Sequence, residues 1–178
     1  MTTITTSAVT IARIFTLAAV MLGTTLTDAR TRTPPLRASE DVPIAAVTPG
    51  ARNPDVTQDT IGQTICVSGY TRTIRPPMQV TTKLKLQQLR TGSYAGKLAD
   101  DGTRGTAADF EEDHFLNLGL GGHPTSVKNL WPQRIASAKV KDGLELRLQK
   151  LVCSHRLSLA VAQECILSDW PACARRHP

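Results

Sequence analysis

Aromatic residues are scarce in this 178-residue chain: two Trp, two Tyr and three Phe, 4% of the total. A core must therefore come mainly from Leu, Ile, Val and Ala. The four cysteines, Cys66, Cys153, Cys165 and Cys173, show no Cys-x-x-Cys spacing, which argues against a structural zinc site. Glycine (12) and proline (11) stay near average usage, which excludes collagen-like and low-complexity chains. No internal repeat is present, and the length is that of one ordinary domain with a tail.

Charge is what the chain has in excess. Lys and Arg number 21 against 15 Asp and Glu, a net charge of +6, which favours polyanionic partners without saying anything about fold. The excess is uneven. Residues 61–107 carry seven basic and two acidic groups, and residues 136–178 seven and four. Between them residues 108–135 reverse the sign, with Asp109, Glu111, Glu112 and Asp113 against two cations. Such a stretch is either a solvated acidic loop or a cation-attracting pocket in a basic surface, the latter suiting phosphate chemistry.

At the amino terminus Arg13 precedes fourteen uncharged residues, Ile14 to Thr27, with an apolar centre. That is shorter than the roughly 20 residues of a transmembrane helix and fits the middle of a secretory signal peptide over residues 1–29, with Ala29 a cleavage residue. Export to the cell surface, periplasm or medium suits an even cysteine count, and two disulfides are expected, Cys66 with Cys153 and Cys165 with Cys173. Residues 30–52, with Pro34, Pro35, Pro43 and Pro49, read as a linker. The folded domain then spans 53–170 and a tail 171–178.

Within the domain, Thr57 can cap a short helix ending near Cys66, with Ile61 and Ile65 at i, i+4 spacing. Val67–Arg75, rich in Thr, Val and Ile, reads as a strand closed by Pro76-Pro77. Residues 80–90 read as a helix, although the alternation Lys83-Leu84-Lys85-Leu86 equally suits a short strand, and Phe110–Leu120 as an extended run ending in the turn Gly121-Gly122. A helix over 136–152 aligns Val140, Leu144, Leu148 and Leu151, and Ser158 caps a last helix that Pro171 stops near Asp169. The order predicts a small, mostly helical α+β domain.

The most informative stretch is Glu112-Asp113-His114-Phe115-Leu116-Asn117-Leu118-Gly119-Leu120-Gly121-Gly122, followed by Asn129-Leu130-Trp131-Pro132-Gln133 and later Lys141-Asp142. An adjacent Asp-His at a strand end, a Gly-Gly turn and an Asn fifteen residues after the His resemble the HNH endonuclease family, in particular small exported bacterial HNH-like proteins. The resemblance covers about Asn53 to Trp170. It implies a β-hairpin and helix around a metal, with Asp113 as a ligand, His114 as general base and Asn129 holding the loop that orients the base.

The chemistry is consistent with that. Phosphodiester hydrolysis requires a nucleophile made from water and a cation that stabilises charge on the phosphate. A neutral imidazole takes a proton near neutral pH, so His114 suits the base. On a regular strand Asp113 and His114 point to opposite sides, so a strand end or bulge is needed for both to meet one phosphate. An oxygen-rich site suits Mg²⁺ or Mn²⁺, with Zn²⁺ or Ni²⁺ as further candidates.

Two departures stand out. The family's third site residue falls here on Ser137 or Ala138, so Asp142 is the candidate metal ligand on the helix, while Glu145 reads as an exposed helix residue. Relatives often carry Pro and Glu where this chain has Asn117 and Gly119. Arg72, Arg75, Lys83, Lys85 and Arg90 are candidate contacts to DNA or RNA phosphates, with plain solubility as the alternative. The expected function is thus a metal-dependent endonuclease. The alternative is a non-catalytic, secreted, disulfide-stabilised module that binds an anionic partner. The hydrolase reading requires the His114 ring to border a cavity with a carboxylate beside it.

Overall fold

The computed structural model describes residues 42–98 and 106–177, besides two isolated positions at the amino terminus. The expected signal peptide (1–29) and most of the expected linker lie outside the described residues. The fold is α+β. Helices α1 (Tyr70–Ile74) and α2 (Met78–Arg90) precede a two-stranded antiparallel sheet of β1 (Phe110–His114) and β2 (Leu130–Arg134). Two long helices follow, α3 (Ile135–Cys153) and α4 (Leu159–Arg176). The strands pair without a bulge, from Phe110 opposite Arg134 to His114 opposite Leu130. Helix α3 starts at the residue after β2, so hairpin and helix form one continuous unit. Helix α2 packs on both strands, and α3 packs on α4.

Scarce as they are, five of the six aromatics among the described residues are spent on the interior. Tyr94, Phe110, Phe115, Trp131 and Trp170 are buried, among Leu116, Leu120, Leu144, Leu148, Val152 and Ile166. Both expected disulfides are formed: Cys66–Cys153 ties the turn before α1 to the end of α3, and Cys165–Cys173 spans a bend within α4. Among the described residues no helix is long and apolar enough to cross a membrane.

Several expectations are corrected. Val67–Arg75 is not a strand: Gly69 adopts φ +86°, Tyr70–Ile74 forms a short helix, and among the described residues no neighbouring strand offers a ladder. Pro76-Pro77 does close the segment, because a residue before proline avoids the helical region and Arg75 is extended. The helix from Thr57 to Cys66 reduces to one 3-10 turn, Ile61–Gln63. There the Thr60 hydroxyl accepts from Thr57 N and donates to the Asp55 carbonyl, giving the backbone local partners that compete with helix. Ile61 and Ile65 are nonetheless buried together.

Packing also begins before Asn53. Thr48 is fully buried, with its hydroxyl hydrogen-bonded to that of Tyr94, and Gly50 N donates to Lys128 O. His123 N and Asn53 N then join this segment to the hairpin loop through Ala51 O and Gly121 O. At the other end, Ser158 caps α4 as expected, accepting from Val161 N. The helix that starts at Leu159 breaks at Asp169, as expected, but a second helical segment containing Pro171 follows in place of a tail. Asp169 leaves helical geometry and its carboxylate accepts from Ala172 N, so a second helical segment restarts with proline in its first turn, where no N–H is needed.

Candidate functional site

The hairpin loop is organised by one side chain. Asn129 is completely buried at the foot of β2. Its amide oxygen accepts from Leu116 N at 2.9 Å, and its nitrogen donates to Leu116 O (2.9 Å) and His123 O (3.0 Å). Those bonds set the path of the loop that the Gly-Gly pair completes. Gly121 takes φ +78°, and a Cβ on Gly122 would stand 1.6 Å from the Leu116 carbonyl oxygen, so only glycine lets the two chains approach.

The carbonyl following His123, that of Pro124, lies 2.9 Å from Nε2 of His114. A carbonyl only accepts, so Nε2 carries the hydrogen and Nδ1 keeps its lone pair. Nδ1 has no hydrogen-bond partner among the described residues. His114 is 4% exposed and lines a cleft of about 430 Å³. Burial pulls its pKa below the ordinary value, against the opposing effects of the Pro124 bond and Asp113. His114 is therefore a neutral imidazole of fixed tautomer.

His114 is the last residue of an unbulged strand, and the strand end lets it and Asp113 border the same cleft. Asp113 does not stand free. One carboxylate oxygen lies 2.8 Å from Nζ of Lys141, a fully buried lysine that also donates to the His114 carbonyl (2.8 Å) and to Glu145. Glu145, expected on an exposed face, is 4% exposed. Burial pushes its pKa up to about 8. Burial pulls the Lys141 ammonium down, but Asp113 and Glu145 outweigh it and hold the ammonium well above its usual range.

Asp142 sits at the rim of the cleft with Glu111. Partial burial and the Asp113 charge raise the pKa of both. A donor set of two or three carboxylates in one opening fits a hard cation that keeps much of its water. No three of them, however, bring ligand oxygens within 4.8 Å of one another. Among the described residues, three metal-ligating atoms come within 4.8 Å of one another only at Cys165, Cys173 and His177. That trio could hold an ion when reduced. With the two sulfurs joined in a disulfide it offers His177 alone.

Glu112 shares a strand face with His114, towards α2, where Lys85 and Lys97 lie in electrostatic range. Both its carboxylate oxygens are buried without a partner, and burial with the neighbouring Asp113 charge pushes the pKa up to about 8.

The candidate phosphate contacts are dispersed. Arg75 is exposed and borders the carboxylate cleft. Arg72 is exposed on α1, and Lys83 and Arg90 line a separate groove on α2. Lys85 is occupied by the carbonyls of Ala107 and Phe110, at 3.0 and 2.8 Å. The space above Gly119 is filled by the side chain of Gln149, which donates to Ile65 O.

Sequence reasoning missed Lys141, Glu145, Glu112 and Pro124. Ser137, Lys141 and Glu145 repeat every four residues beside Leu144 and Leu148, a helix-face signal that marks the first two of those four. Comparison with family models, curated proteins and solved structures finds no match.

Proposed function

We propose that the protein is an HNH-like phosphodiester hydrolase acting on DNA or RNA, exported and stabilised by its two disulfides. The observation that carries the reading is the chain of contacts from Asn129 through the His123–Pro124 loop to His114, which presents a neutral imidazole of fixed tautomer to an acidic cleft.

His114 Nδ1 accepts the proton of a water as that water attacks phosphorus. The Nε2 bond to Pro124 keeps the ring aimed and lets it carry the positive charge it acquires. Asp113 and Asp142 would hold Mg²⁺ or Mn²⁺, and the bound ion supplies positive charge to the phosphate and the leaving oxygen. Arg75 at the rim offers a phosphate contact without base readout. Buried Lys141 holds the Asp113 carboxylate in place from behind the cleft.

Plasmid nicking with and without EDTA, run beside His114→Ala, tests this. Nicking that requires metal and falls at least a hundredfold in the variant is expected. Equal background in every lane defeats it and favours the non-catalytic module binding an anionic partner.

A further inference from the structure

Between Asp59 and Asp100 the chain has no acidic residue and six basic ones: Arg72, Arg75, Lys83, Lys85, Arg90 and Lys97. Helix α2 lies within that stretch. On its exposed side Met78, Thr82, Leu86 and Arg90 recur every four residues as one ridge, with Gln79, Lys83 and Gln87 as the next. The groove along these ridges leads towards the site. A cavity of about 450 Å³ between α2 and β1 shares Met78 and Thr82 with it. The same cavity shares Arg75, Glu112 and His114 with the carboxylate cleft, so His114 borders both.

The lining of that cavity is mixed. Pro76 and Phe110 are its buried apolar parts, and Met78, 78% exposed, joins it to the groove. Thr82 adds a hydroxyl and Arg75 a cation. Glu112 is the incomplete part: both its carboxylate oxygens are buried with no hydrogen-bond partner. Leaving such a group unsatisfied is costly, and protonated or not it accepts from an N–H. A nucleobase matches this lining, with apolar faces and an edge that carries N–H donors. The phosphates on either side of it suit Arg75 and, along the groove, Lys83 and Arg90.

We propose that the cavity between α2 and β1 is a nucleobase subsite and that the substrate is a single-stranded nucleic acid. One base lies beside His114, and the neighbouring phosphates lie on Arg75, Lys83 and Arg90. In a duplex the bases are paired and stacked inside, so phosphates alone would reach α2 and the cavity would have no occupant. An acidic peptide matches the cations but does not account for a cavity that opens beside His114. The inference deepens the hydrolase reading and rests on it for the place of the reacting phosphate, but its test requires no cutting.

The experiment is fluorescence anisotropy of labelled strands, about ten nucleotides long, with the full oxidised chain in EDTA. Three probes of one length are compared: a single strand of mixed sequence, an abasic strand with the same phosphates, and a blunt duplex. The base-bearing strand is expected to bind at least tenfold tighter than either of the others. DNA and RNA versions are both run, and this pattern in either supports the proposal and names the sugar. Glu112→Met should weaken the base-bearing strand at least fivefold without weakening the abasic one, and Lys83→Gln with Arg90→Gln should weaken both at least threefold. Near-ultraviolet circular dichroism verifies folding; should a variant fail to fold, the comparison of probes on the wild type decides. Abasic or duplex probes that bind as tightly as the strand, folded variants within twofold of the wild type, or no binding at all overturns the proposal. So does displacement of the strand by polyglutamate of equal charge as readily as by unlabelled strand, which assigns the face to an acidic protein. Nicking assays keep the two ideas apart. Base-dependent binding without cutting under any metal retains the subsite and removes the hydrolase; metal-dependent cutting with the duplex bound best does the reverse.

Discussion

Asn129 and Leu116 exchange two hydrogen bonds of 2.9 Å, the amide oxygen accepting from the Leu116 N–H and the amide nitrogen donating to the Leu116 carbonyl. One buried side chain thus satisfies both polar groups of a peptide thirteen residues away, and with a third bond to His123 it fixes the loop whose Pro124 carbonyl holds the His114 ring.

Asn129→Asp keeps the acceptor and removes the donor. The carbonyls of Leu116 and His123 then face a buried carboxylate instead of an N–H. Each buried group left unsatisfied costs about 1–3 kcal/mol. A loss of about 3 kcal/mol in urea unfolding is expected, with plasmid nicking falling at least as far as the folded population does. A variant as stable as the wild type means the loop is held by other contacts.

Gly122→Ala asks whether the second glycine of the turn is a packing requirement. A methyl group 1.6 Å from the Leu116 oxygen cannot be accommodated without breaking the Asn129–Leu116 pair. A loss of about 3 kcal/mol or more in the same assay is expected for such overpacking against backbone. Gly119→Ala is the control, since its neighbour is the movable end of Gln149. Equal effects at the two glycines contradict this account.

Glu112 gives the protein a stability that declines with rising pH. Its folded pKa of about 8 lies above the model-compound value of 4.5, so between those values the unfolded chain loses this proton and the folded chain retains it. The native state is then penalised progressively from about pH 4.5 to pH 8. Glu112→Gln removes the penalty. It should gain on the order of 4 kcal/mol at pH 8 and little at pH 4. Urea midpoints across that range provide the measurement; parallel curves for the two proteins mean the carboxyl is solvated.

Cys66→Ser with Cys153→Ser opens an 87-residue separation, and Cys165→Ser with Cys173→Ser one of eight. Loop-closure entropy assigns the long link about 4–5 kcal/mol and the short one about 2–3 kcal/mol. The first pair should lower the thermal midpoint more than the second. A reversed order shows that the bend in α4 depends on its link more than the hairpin–helix unit does on the other.

Much of this site was legible in the primary structure because it depends on residue types with few substitutes. The Asp-His pair, the Gly-Gly turn and Asn129 are each demanded by local geometry: a strand end, a positive φ beside a close approach, and a side chain that can both donate and accept. The helix over 136–152 was legible for the same reason, since Leu144 and Leu148 repeat on one face. Val67–Arg75 misled because Thr, Val and Ile favour a strand only when another strand lies alongside, and among the described residues none does. Lys141 was hidden because a charged residue on a helix is ordinarily solvated. Only the approach of β1, carrying Asp113 and the His114 carbonyl, makes burial tolerable.

The sequence by itself determined the elements whose cause is local: the hairpin turn, the periodic helices, the Ser158 cap and the even set of cysteines. The tertiary structure alone decided which cation meets Asp113, which carbonyl orients His114, and that residues 42–52 pack onto the hairpin loop rather than link to it. Those choices depend on groups far apart in the chain being desolvated together, and the free energy of a buried charge or hydrogen bond belongs to the pair and its surroundings, not to either residue.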